Sequence, residues 1–458
     1  MPERITINPV TRINGFMEIE AEIEDQAIKD AKTKGLMFRG LEKMLVGRSP
    51  FDSVYFTQRI CGICSTAHSV ASSIALEDAM GIVPTQQGRY LRDLIHACEF
   101  FQNHLRHFYQ YTLPDYVKLP EAYPLFQMDH SDYRLPGEIN ARMVNDYFKS
   151  LELSRSAHQM LAILGGKAPH NHGIFIGGIT SQATADKIIA IKSILHNIGQ
   201  FIADIMIRDV YTIGEYYSEY YHMGGGYGNF LSYGCFDNYR DLGTLYVDPL
   251  VYSNNQVTPF DPDRITQENE YAWFNEYNEP DLDKPQAYSW IKAPRYDNIP
   301  YEVGPLARQW LTGEYRNGIS AMDRTVARVL EARKIVTVMN TLIDNLIPGV
   351  SLQEEYAVPE ISMGRGLVDT TRGALGHWIY IENSKIAFYQ IITPSAWNLS
   401  TQTEHMKGTA EQALIGAPVG RTDMPVEIGR IIRSYDPCVS CATHVFSRGK
   451  LVHKAQVV

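Results

Sequence analysis

The sequence predicts an α+β protein that is mainly helical, with a bundle of long helices as its core and β-rich segments at the N-terminus and before the C-terminal cysteines. Alternating apolar and charged residues near the start, apolar residues at helical spacing in the middle, and a later alternating pair of segments support this prediction. The 458 residues are 45% hydrophobic and 21% charged, a composition that excludes disordered and collagen-like classes.

Two stretches carry the strand prediction. Within residues 5–23, glutamates alternate with apolar residues, the period-two pattern of a strand with one buried face; the apolar positions are Met17, Ile19, Ala21 and Ile23. Residues 378–381 and 386–391 flank a polar Glu-Asn-Ser-Lys segment and predict a hairpin. Residues 224–305 are rich in Tyr, Asn, Asp, Gly and Pro, which predicts irregular structure with short strands.

Long helices are predicted between these β-rich segments. The first follows Cys64, where Ser65 or Thr66 can cap it, and ends near Gly81. Apolar residues then recur every three or four positions over residues 86–112, and Pro114 supplies the stop. The same spacing predicts further helices, enough for a bundle, over residues 141–164, 185–216 and 321–346.

Charge and hydropathy exclude some partners. Lys and Arg number 42 against 52 Asp and Glu, so the net charge of −10 repels a phosphate backbone and argues against nucleic acid as a partner. No uninterrupted apolar run approaches the roughly 18 residues of a membrane span. The start, Met-Pro-Glu-Arg-Ile-Thr, carries no export signal, so export would depend on another protein.

Four of the six cysteines form two Cys-x-x-Cys pairs, Cys61 with Cys64 and Cys438 with Cys441. Such pairs most often bind structural zinc, but 377 positions separate these two, whereas zinc ribbons pair cysteines locally. Soft thiolates also suit copper(I), nickel or iron, and a redox dithiol is a third interpretation. The remaining Cys98 and Cys235 have aromatic neighbours and are predicted to be buried hydrophobes.

A histidine follows each pair, His68 after Cys64 and His444 after Cys441. An imidazole so close can hydrogen-bond to a ligand sulfur or bind a second ion.

These motifs, with others in fixed order, resemble the large subunit of nickel-iron hydrogenases of the respiratory uptake type, over almost the whole chain. The further motifs are Asn-Pro-Val-Thr-Arg-Ile at 8–13, Arg-Gly-Leu-Glu at 39–42, Gly-Gly-Lys-Ala-Pro-His at 165–170, Asn-Phe-Leu-Ser-Tyr-Gly at 229–234, Tyr-Ser-Trp-Ile-Lys-Ala-Pro-Arg-Tyr at 288–296, Glu-Val-Gly-Pro-Leu-Ala-Arg at 302–308, Arg-Gly-Ala-Leu-Gly-His-Trp at 372–378, Pro-Ser-Ala-Trp-Asn at 394–398 and Asp-Pro-Cys at 436–438. The resemblance implies reversible heterolytic cleavage of H2 to protons and electrons.

By this resemblance all four paired cysteines hold nickel, and Cys64 with Cys441 also bridges to an iron that carries one carbon monoxide and two cyanides. Cys61 and Cys438 are then terminal ligands. Cleaving dihydrogen needs a base for the proton beside the metal, and the thiolate of Cys438 is implied to be that base.

The resemblance also implies roles around the metals. Arg372 overhangs them, while Leu375, Pro394 and Ser395 form the pocket for the diatomic ligands. His68 hydrogen-bonds to a bridging sulfur. A magnesium ion is held by Glu42, the backbone carbonyl of Ile391, and His444. The plainer alternatives are a surface salt bridge for Arg372, a core histidine for His68, a helix-surface carboxylate for Glu42 and a purely structural turn at His170.

Partners follow from the same resemblance. Because the chain has no further cysteine set for iron-sulfur clusters, electrons must leave through an iron-sulfur small subunit, in a heterodimer or a dimer of heterodimers. Co-export with that subunit would place the protein in the periplasm or on the outer face of the cytoplasmic membrane, with membrane contact only through partner subunits; a cytoplasmic location is the alternative. The resemblance also implies that residues 1–444 form one domain and that a maturation endopeptidase removes residues 445–458.

The chain departs from the family pattern at several positions near the predicted site. Asn14 and Asn103 replace acids, and Thr371 replaces a proline, so the first proton relay is predicted to be altered. Ile63 and Tyr111, where Val and Leu are common, are predicted to narrow the gas channel. Asn14 as a turn cap and Tyr111 as a helix end are the structural alternatives.

Two other function classes share part of this pattern. A hydrogen sensor would use the same metal site, and its members also carry bulky gas-channel residues, although they usually lack the C-terminal tail. The quinone-binding subunit of respiratory complex I shares the fold but lacks the metal cysteines, all four of which are present here.

Overall fold

The computed structural model describes residues 3–121, 130–349 and 356–442. The chain is 43% helical and 21% strand, which confirms the mainly helical α+β prediction. The α-helices are α1 Leu41–Leu45, α2 Asp52–Thr57, α3 Ser65–Met80, α4 Gln86–Arg106, α5 Gly137–Gly165, α6 Ala185–Phe201, α7 Ile207–Tyr216, α8 Pro305–Thr312, α9 Ala321–Asp344, α10 Pro394–Asn398, α11 Thr409–Leu414, α12 Val426–Ser434 and α13 Val439–Ala442. The strands are β1 Glu3–Ile7, β2 Met17–Glu24, β3 Ala27–Gly35, β4 Ile174–Phe175, β5 Gly178–Ile179, β6 Phe230–Cys235, β7 Val247–Ser253, β8 Gln256–Pro259, β9 Ile265–Glu268, β10 Ala293–Tyr296, β11 Ile361–Thr370, β12 Gly373–Glu382 and β13 Lys385–Ile392.

The core is a bundle around α4, which packs against α5 and α9, while α6 packs on α5. The predicted helices are confirmed, with one difference in kind. The helices predicted over 86–112 and 185–216 each contain a π-helical segment, at His107–Thr112 and Ile202–Met206. A π turn joins residues five positions apart by a hydrogen bond, instead of four as in an α-helix, so apolar spacing alone does not reveal it.

The N-terminal sheet is antiparallel in the order β1-β2-β3. As its alternation predicted, Met17, Ile19 and Ala21 of β2 are buried. The region 224–305 contains the short strands β6–β10, as predicted. The predicted hairpin is β12–β13, longer than expected and extended by β11 into a three-stranded sheet that the sequence pattern did not reveal.

Helix α3 lies directly on this second sheet because β11 carries glycines where the two meet. A Cβ at Gly366 would overlap the carbonyl of Ala71, and one at Gly364 would overlap that of Ala75. This close approach fixes α3, and with it the cysteines at its N-terminus, against β11 and β12.

The predicted cap of α3 is wrong. Cys64 occupies the N-cap position, and no side chain of the cap closes the turn. Instead the carboxylate of Glu99 on α4 accepts hydrogen bonds from the backbone N–H groups of Thr66 (2.8 Å) and Ala67 (3.2 Å). A residue 33 positions away supplies the oxygens that a local serine or threonine usually supplies.

Among the described residues, the helical stretch Ala185–Tyr216 is long and apolar enough to span a membrane by length and composition. Ile191, Leu195 and Ile198 on this stretch are buried in the bundle core. These residues form the face by which the stretch packs in the bundle.

Candidate metal centre

The two Cys-x-x-Cys pairs meet in one buried cluster. The sulfurs of Cys61, Cys64, Cys438 and Cys441 all lie within 4.8 Å of one another. Cys61 Sγ is 3.4 Å from Cys438 Sγ, Cys64 Sγ is 3.1 Å from Cys441 Sγ, and Cys438 Sγ is 2.8 Å from Cys441 Sγ. All four are free thiols, and no disulfide links them. Four soft donor atoms therefore face one point.

Backbone contacts hold the C-terminal pair against the N-terminal motif. Asn14 forms a parallel bridge with Cys438, in which Asn14 N–H donates to Pro437 O (3.0 Å) and Val439 N–H donates to Asn14 O (2.7 Å). At Gly15 (φ +90°) a Cβ would lie 2.5 Å from Ser440 N. Only glycine permits this approach, which explains Gly15 at this point of the chain.

Arg39 links the two cysteine loops. Its guanidinium donates to the carbonyls of Arg59 (3.0 Å) and Ile60 just before Cys61, and to the carbonyl of Ser440 (2.9 Å) between the C-terminal cysteines. The sequence places Arg39 in a motif, but this role requires contacts across 401 positions and was not predicted.

The sulfurs share their protons unequally. Hydrogen bonding from Cys438 and then Cys441 lowers the pKa of Cys61 well below its ordinary value, with Arg372 adding to the effect. Burial, with hydrogen bonding from Cys438, raises the pKa of Cys441. A buried cluster of four thiols can bear several negative charges only if a cation sits among them, so the donor set fits a soft metal ion.

Arg372 is buried, so the alternative of a surface salt bridge does not hold. Its Nη2 donates to Asn103 Oδ1 (2.5 Å) and forms an ion pair with Asp436 Oδ1 (3.0 Å). Its Nε donates to the backbone carbonyl oxygen of Asp436 (2.9 Å). Thr371 Oγ1 lies 3.5 Å from Nη1. Asn103 Nδ2 also donates to Asp436 Oδ2 (2.6 Å), and the Arg372 charge keeps the Asp436 pKa far below its usual range despite burial.

A small cavity lies beside the sulfurs. Its lining includes Leu375, Pro394 and Ser395, which the resemblance assigned to the diatomic pocket, and Arg372, whose guanidinium it placed above the metals. The other lining residues are Cys64, Ala67, His68, Thr370, Cys438 and Cys441. Ser395 Oγ accepts from Cys438 N–H at 3.0 Å, which leaves its own hydrogen free to donate into the cavity. The structure therefore brings these predicted residues together.

His68 is buried, and its Nδ1 lies 3.1 Å from Nε2 of His377. Burial lowers the pKa of His68 to about 4, so its ring is neutral at ordinary pH. His377 lies in the Arg-Gly-Ala-Leu-Gly-His-Trp motif, but its contact with His68 was not predicted from the sequence.

A second cavity of about 40 Å³ is also lined by Cys441, together with Glu42, Gln267, Lys292 and Ile391. Glu42 Oε1 accepts from the backbone N–H of Ile391 at 2.8 Å, and burial raises the pKa of Glu42. Glu42 thus faces a cavity beside the cysteines. His444, the third predicted magnesium ligand, and the tail 445–458 lie outside the described residues.

The positions that depart from the family pattern are also near the sulfurs. Asn14 Oδ1 accepts from the hydroxyl of Tyr111 at 3.2 Å, while Asn14 Nδ2 is buried without a hydrogen-bond partner in the described part of the chain. Tyr111 lies within the π-helical segment rather than simply ending α4. Ile63 is half-buried, and its N–H donates to Cys61 Sγ (3.3 Å).

His170 has a positive φ of 59°, and its backbone N–H donates to Ser65 Oγ at 3.0 Å. This contact supports the alternative that His170 belongs to a purely structural turn.

Comparison with known proteins assigns the family. The model of the nickel-dependent hydrogenase family matches residues 39–125, 122–319 and 311–444. The periplasmic [NiFeSe] hydrogenase large subunit of Desulfomicrobium baculatum is 34% identical, with 96% of this chain and 95% of the relative covered. The uptake hydrogenase large subunit of Rhodobacter capsulatus is 27% identical, with 97% of this chain and 96% of the relative covered.

The fold agrees. The reduced Ni-Fe-Se hydrogenase of D. vulgaris Hildenborough superposes with a TM-score of 0.93 at 35% identity, covering 97% of this chain and all of the matched chain. The ordered motifs, the four-sulfur cluster and these matches lead to one conclusion: the chain belongs to the nickel-dependent hydrogenase family and corresponds to its large subunit.

Proposed function

We propose that the chain is the catalytic large subunit of a nickel-iron hydrogenase that oxidises or evolves H2. The observation that carries this proposal is the buried four-cysteine cluster beneath the Arg372 guanidinium. Relatives named as [NiFeSe] hydrogenases contain selenium by name, whereas this sequence contains no selenocysteine, which favours a centre with four sulfur donors.

Cys61, Cys64, Cys438 and Cys441 would hold nickel, with Cys64 and Cys441 shared with an iron that carries one carbon monoxide and two cyanides. When bound, these metals polarise dihydrogen and accept its electrons. The proton needs a base on the protein, and we assign this role to the thiolate of Cys438, which lines the cavity together with Arg372 and is bridged to Asn14 through the backbone. Its N–H is held by Ser395 Oγ, which fixes the loop that presents it.

Arg372 acts through its fixed charge. Asn103 and Asp436 immobilise the guanidinium at the edge of the cavity, where a cation stabilises negative charge that develops during the reaction. Leu375 and Pro394 give the cavity apolar walls that exclude water, and the Ser395 hydroxyl supplies a donor for a cyanide nitrogen.

A magnesium ion at Glu42, the carbonyl of Ile391, and His444 is part of the proposal. The cavity beside Glu42 contains a carboxylate and the amide of Gln267, and hard oxygen donors are what Mg²⁺ prefers. Such an ion would fasten α1 and β13 to the segment after Cys441.

Electrons require an exit, because no other cysteine set in the sequence can ligate a cluster. We therefore include an iron-sulfur small subunit as the partner, in a heterodimer that can pair further. The name of the periplasmic relative supports a periplasmic location, reached by co-export with that partner. A single domain over residues 1–444 and endoproteolytic removal of residues 445–458 complete the proposal.

Metal analysis and infrared spectroscopy of the purified heterodimer test the proposal. We expect nickel and iron together, bands of iron-bound carbon monoxide and cyanide, and H2-dependent dye reduction. Zinc without nickel would contradict it and would restore the structural-zinc interpretation of the cysteine pairs. H2 binding without turnover would favour the sensor alternative.

A further inference from the structure

Arg308, on α8, is held in the core by a complete set of hydrogen bonds. Its side chain and those of its partners Glu331 and Asp369 are fully buried. Nε and Nη2 donate to the two carboxylate oxygens of Glu331 (2.7 and 2.8 Å), and Nη1 donates to Asp369 Oδ2 (3.0 Å). Two further hydrogen bonds go to the backbone carbonyls of Thr370 (3.0 Å) and Thr371 (3.4 Å). All five N–H groups of the guanidinium are therefore used.

The two carbonyls that Arg308 contacts belong to the turn that carries Arg372. Thr370 ends β11 and Gly373 begins β12, so Thr371 and Arg372 alone connect the two strands. Because a peptide group is planar, a hydrogen bond to the carbonyl of Thr371 also fixes the amide of Arg372. Thr371 stands where the family pattern has a proline, whose ring would fix φ, so restraint of this turn has to come from outside it.

The start of α8 packs directly on the same turn. Gly304, the N-cap of α8, has φ +119°, and a Cβ there would lie 2.8 Å from the carbonyl oxygen of Arg372. A Cβ at Gly373 would lie 2.6 Å from Gly304 N. Arg308 N–H donates to Gly304 O at 3.0 Å, so one helical turn joins this backbone contact to the Arg308 guanidinium.

The partner of Arg308 also contacts the helix that holds the Arg372 side chain. Asn103 on α4 accepts a hydrogen bond from Arg372, and the next residue, His104, places its Nε2 2.8 Å from Glu331 Oε2. Although burial raises it, the Arg308 charge lowers the pKa of Glu331 to about 2, so the two side chains form an ion pair. This ion pair therefore contacts both the turn with Arg372 and the part of α4 that binds its guanidinium.

We propose that Arg308 is a positioning residue that, together with Glu331, fixes Arg372 above the metal-binding cysteines. This inference rests on the proposed function, because the place of Arg372 matters for catalysis only above bound metals. It deepens that function by giving a role to the motif at 302–308, none of whose residues lines the cavity beside the sulfurs. A cation that is already in place stabilises developing charge without reorganisation during the reaction.

The first test is Arg308→Lys in the full heterodimer. Lysine keeps the charge but carries all its hydrogens on one nitrogen, so it cannot replace the five hydrogen bonds of the guanidinium. We expect normal nickel and iron content and a turnover lower by roughly 10- to 100-fold, since a displacement of about 1 Å can have an effect of this size. Arg92→Lys is the matched control, because it changes a buried ion pair to Glu77 (2.7 Å) away from the turn, and it should keep wild-type turnover.

A double variant separates positioning from a general structural effect. Arg372→Gln removes the charge that Arg308 is proposed to position. If Arg308 acts through Arg372, adding Arg308→Lys to Arg372→Gln should lower turnover no further. An effect of Arg308→Lys that is equally large with and without the Arg372 charge would overturn the inference.

Infrared spectra supply a readout other than activity. Moving a cation away from the metals leaves more electron density on the iron, so the band of its carbon monoxide should move to lower frequency. We expect this shift in Arg372→Gln, a smaller shift in the same direction in Arg308→Lys, and none in Arg92→Lys. A wild-type band together with wild-type turnover in Arg308→Lys would overturn the inference.

Gly304→Ala tests the same turn without changing a charge. Its Cβ presses on the carbonyl of Arg372, so this variant should lower turnover and shift the carbon monoxide band as Arg308→Lys does, and it serves if Arg308→Lys does not assemble. A crystal structure of the wild-type heterodimer needs no variant, and one in which Arg308 leaves the carbonyls of Thr370 and Thr371 uncontacted would overturn the inference. Failure of the proposed function is distinguishable, because wild-type protein would then contain no nickel while the crystal structure would still show these contacts.

Discussion

Asn14 lies directly beside Cys438, joined to it by a parallel backbone bridge, with its side chain hydrogen-bonded to Tyr111 rather than to an acid. An amide at this position can neither bind nor release a proton at accessible pH, so a proton taken up by the proposed base Cys438 meets no carboxylate at Asn14. Among the described residues Asn14 Nδ2 has no hydrogen-bond partner, and it can hold a water molecule in line, so we propose a water chain as the first step of the proton route.

Asn14→Glu should therefore raise turnover and reduce the solvent deuterium isotope effect, because we propose that proton transfer limits the wild-type rate. Steady-state H2 oxidation in H2O and D2O measures both quantities. Asn14→Gln is the matched control, since it has the length of glutamate without an ionisable group. A wild-type enzyme with no solvent isotope effect, or a glutamate variant that behaves like the glutamine one, would rule out a limiting relay.

Cys438→Ser should lower activity by about 10²-fold or more, the usual contribution of a general base, and should also weaken nickel binding. A hydroxyl ionises poorly and is a hard ligand, so it replaces the thiolate in neither role. Cys235→Ser is the control, because Cys235 lies outside the cluster and makes only a weak contact to Asp369 O (3.9 Å) that serine can replace. Full activity and full nickel content in Cys438→Ser would remove Cys438 from the site.

Ile63→Val combined with Tyr111→Leu should speed inhibition by carbon monoxide, because smaller side chains widen the passage that these residues are proposed to narrow. Gas-injection assays give the inhibition rate directly. Tyr111→Phe separates two effects, since it keeps the ring but loses the hydroxyl that donates to Asn14. If inhibition is unchanged in the double variant, the gas-channel assignment fails and Tyr111 acts through Asn14 alone.

The helices and the cysteine pairs could be predicted because their signals are local. A 3.6-residue period marks α4 and α9, and two Cys-x-x-Cys motifs mark a soft-metal site. The contacts that complete the site are not local. Arg39 reaches the carbonyl of Ser440 across 401 positions, and His68 meets His377 across 309. No periodicity encodes such pairs, and the His68–His377 pair follows from how α3 packs on β12.

Active enzyme should end at His444. The segment with Cys438 and Cys441 already contacts Asn14 and Arg39 in the full chain, and residues 445–458 follow this segment directly. We therefore expect their removal after metal insertion to fix the segment on the metals. Intact-mass spectrometry of the active heterodimer checks this. A gene truncated after His444 is the control, because it provides the closed segment without proteolysis. Active enzyme that retains the full tail would contradict the prediction.

Glu99 should make stability fall as pH rises toward and beyond neutrality. Burial raises its pKa to about 7 in the folded chain, although the N–H groups of Thr66 and Ala67 partly offset this, whereas a free glutamate titrates near 4.5. The folded state thus binds the proton more tightly than the unfolded state. The resulting stabilisation is complete below pH 4.5 and is lost as pH rises through 7, with a total on the order of 3 kcal/mol.

Glu99→Gln removes this titration, so its melting temperature should decline less than that of the wild type between pH 5.5 and 8.5. Thermal unfolding of both proteins across that range, followed by circular dichroism, gives the comparison. Glu24→Gln, at the exposed end of β2, makes the same change of charge outside the core and should reproduce the wild-type slope. Parallel curves of melting temperature against pH for the wild type and Glu99→Gln would contradict the prediction. They would show that the hydrogen bonds from the start of α3 fully offset the effect of burial on the pKa of Glu99.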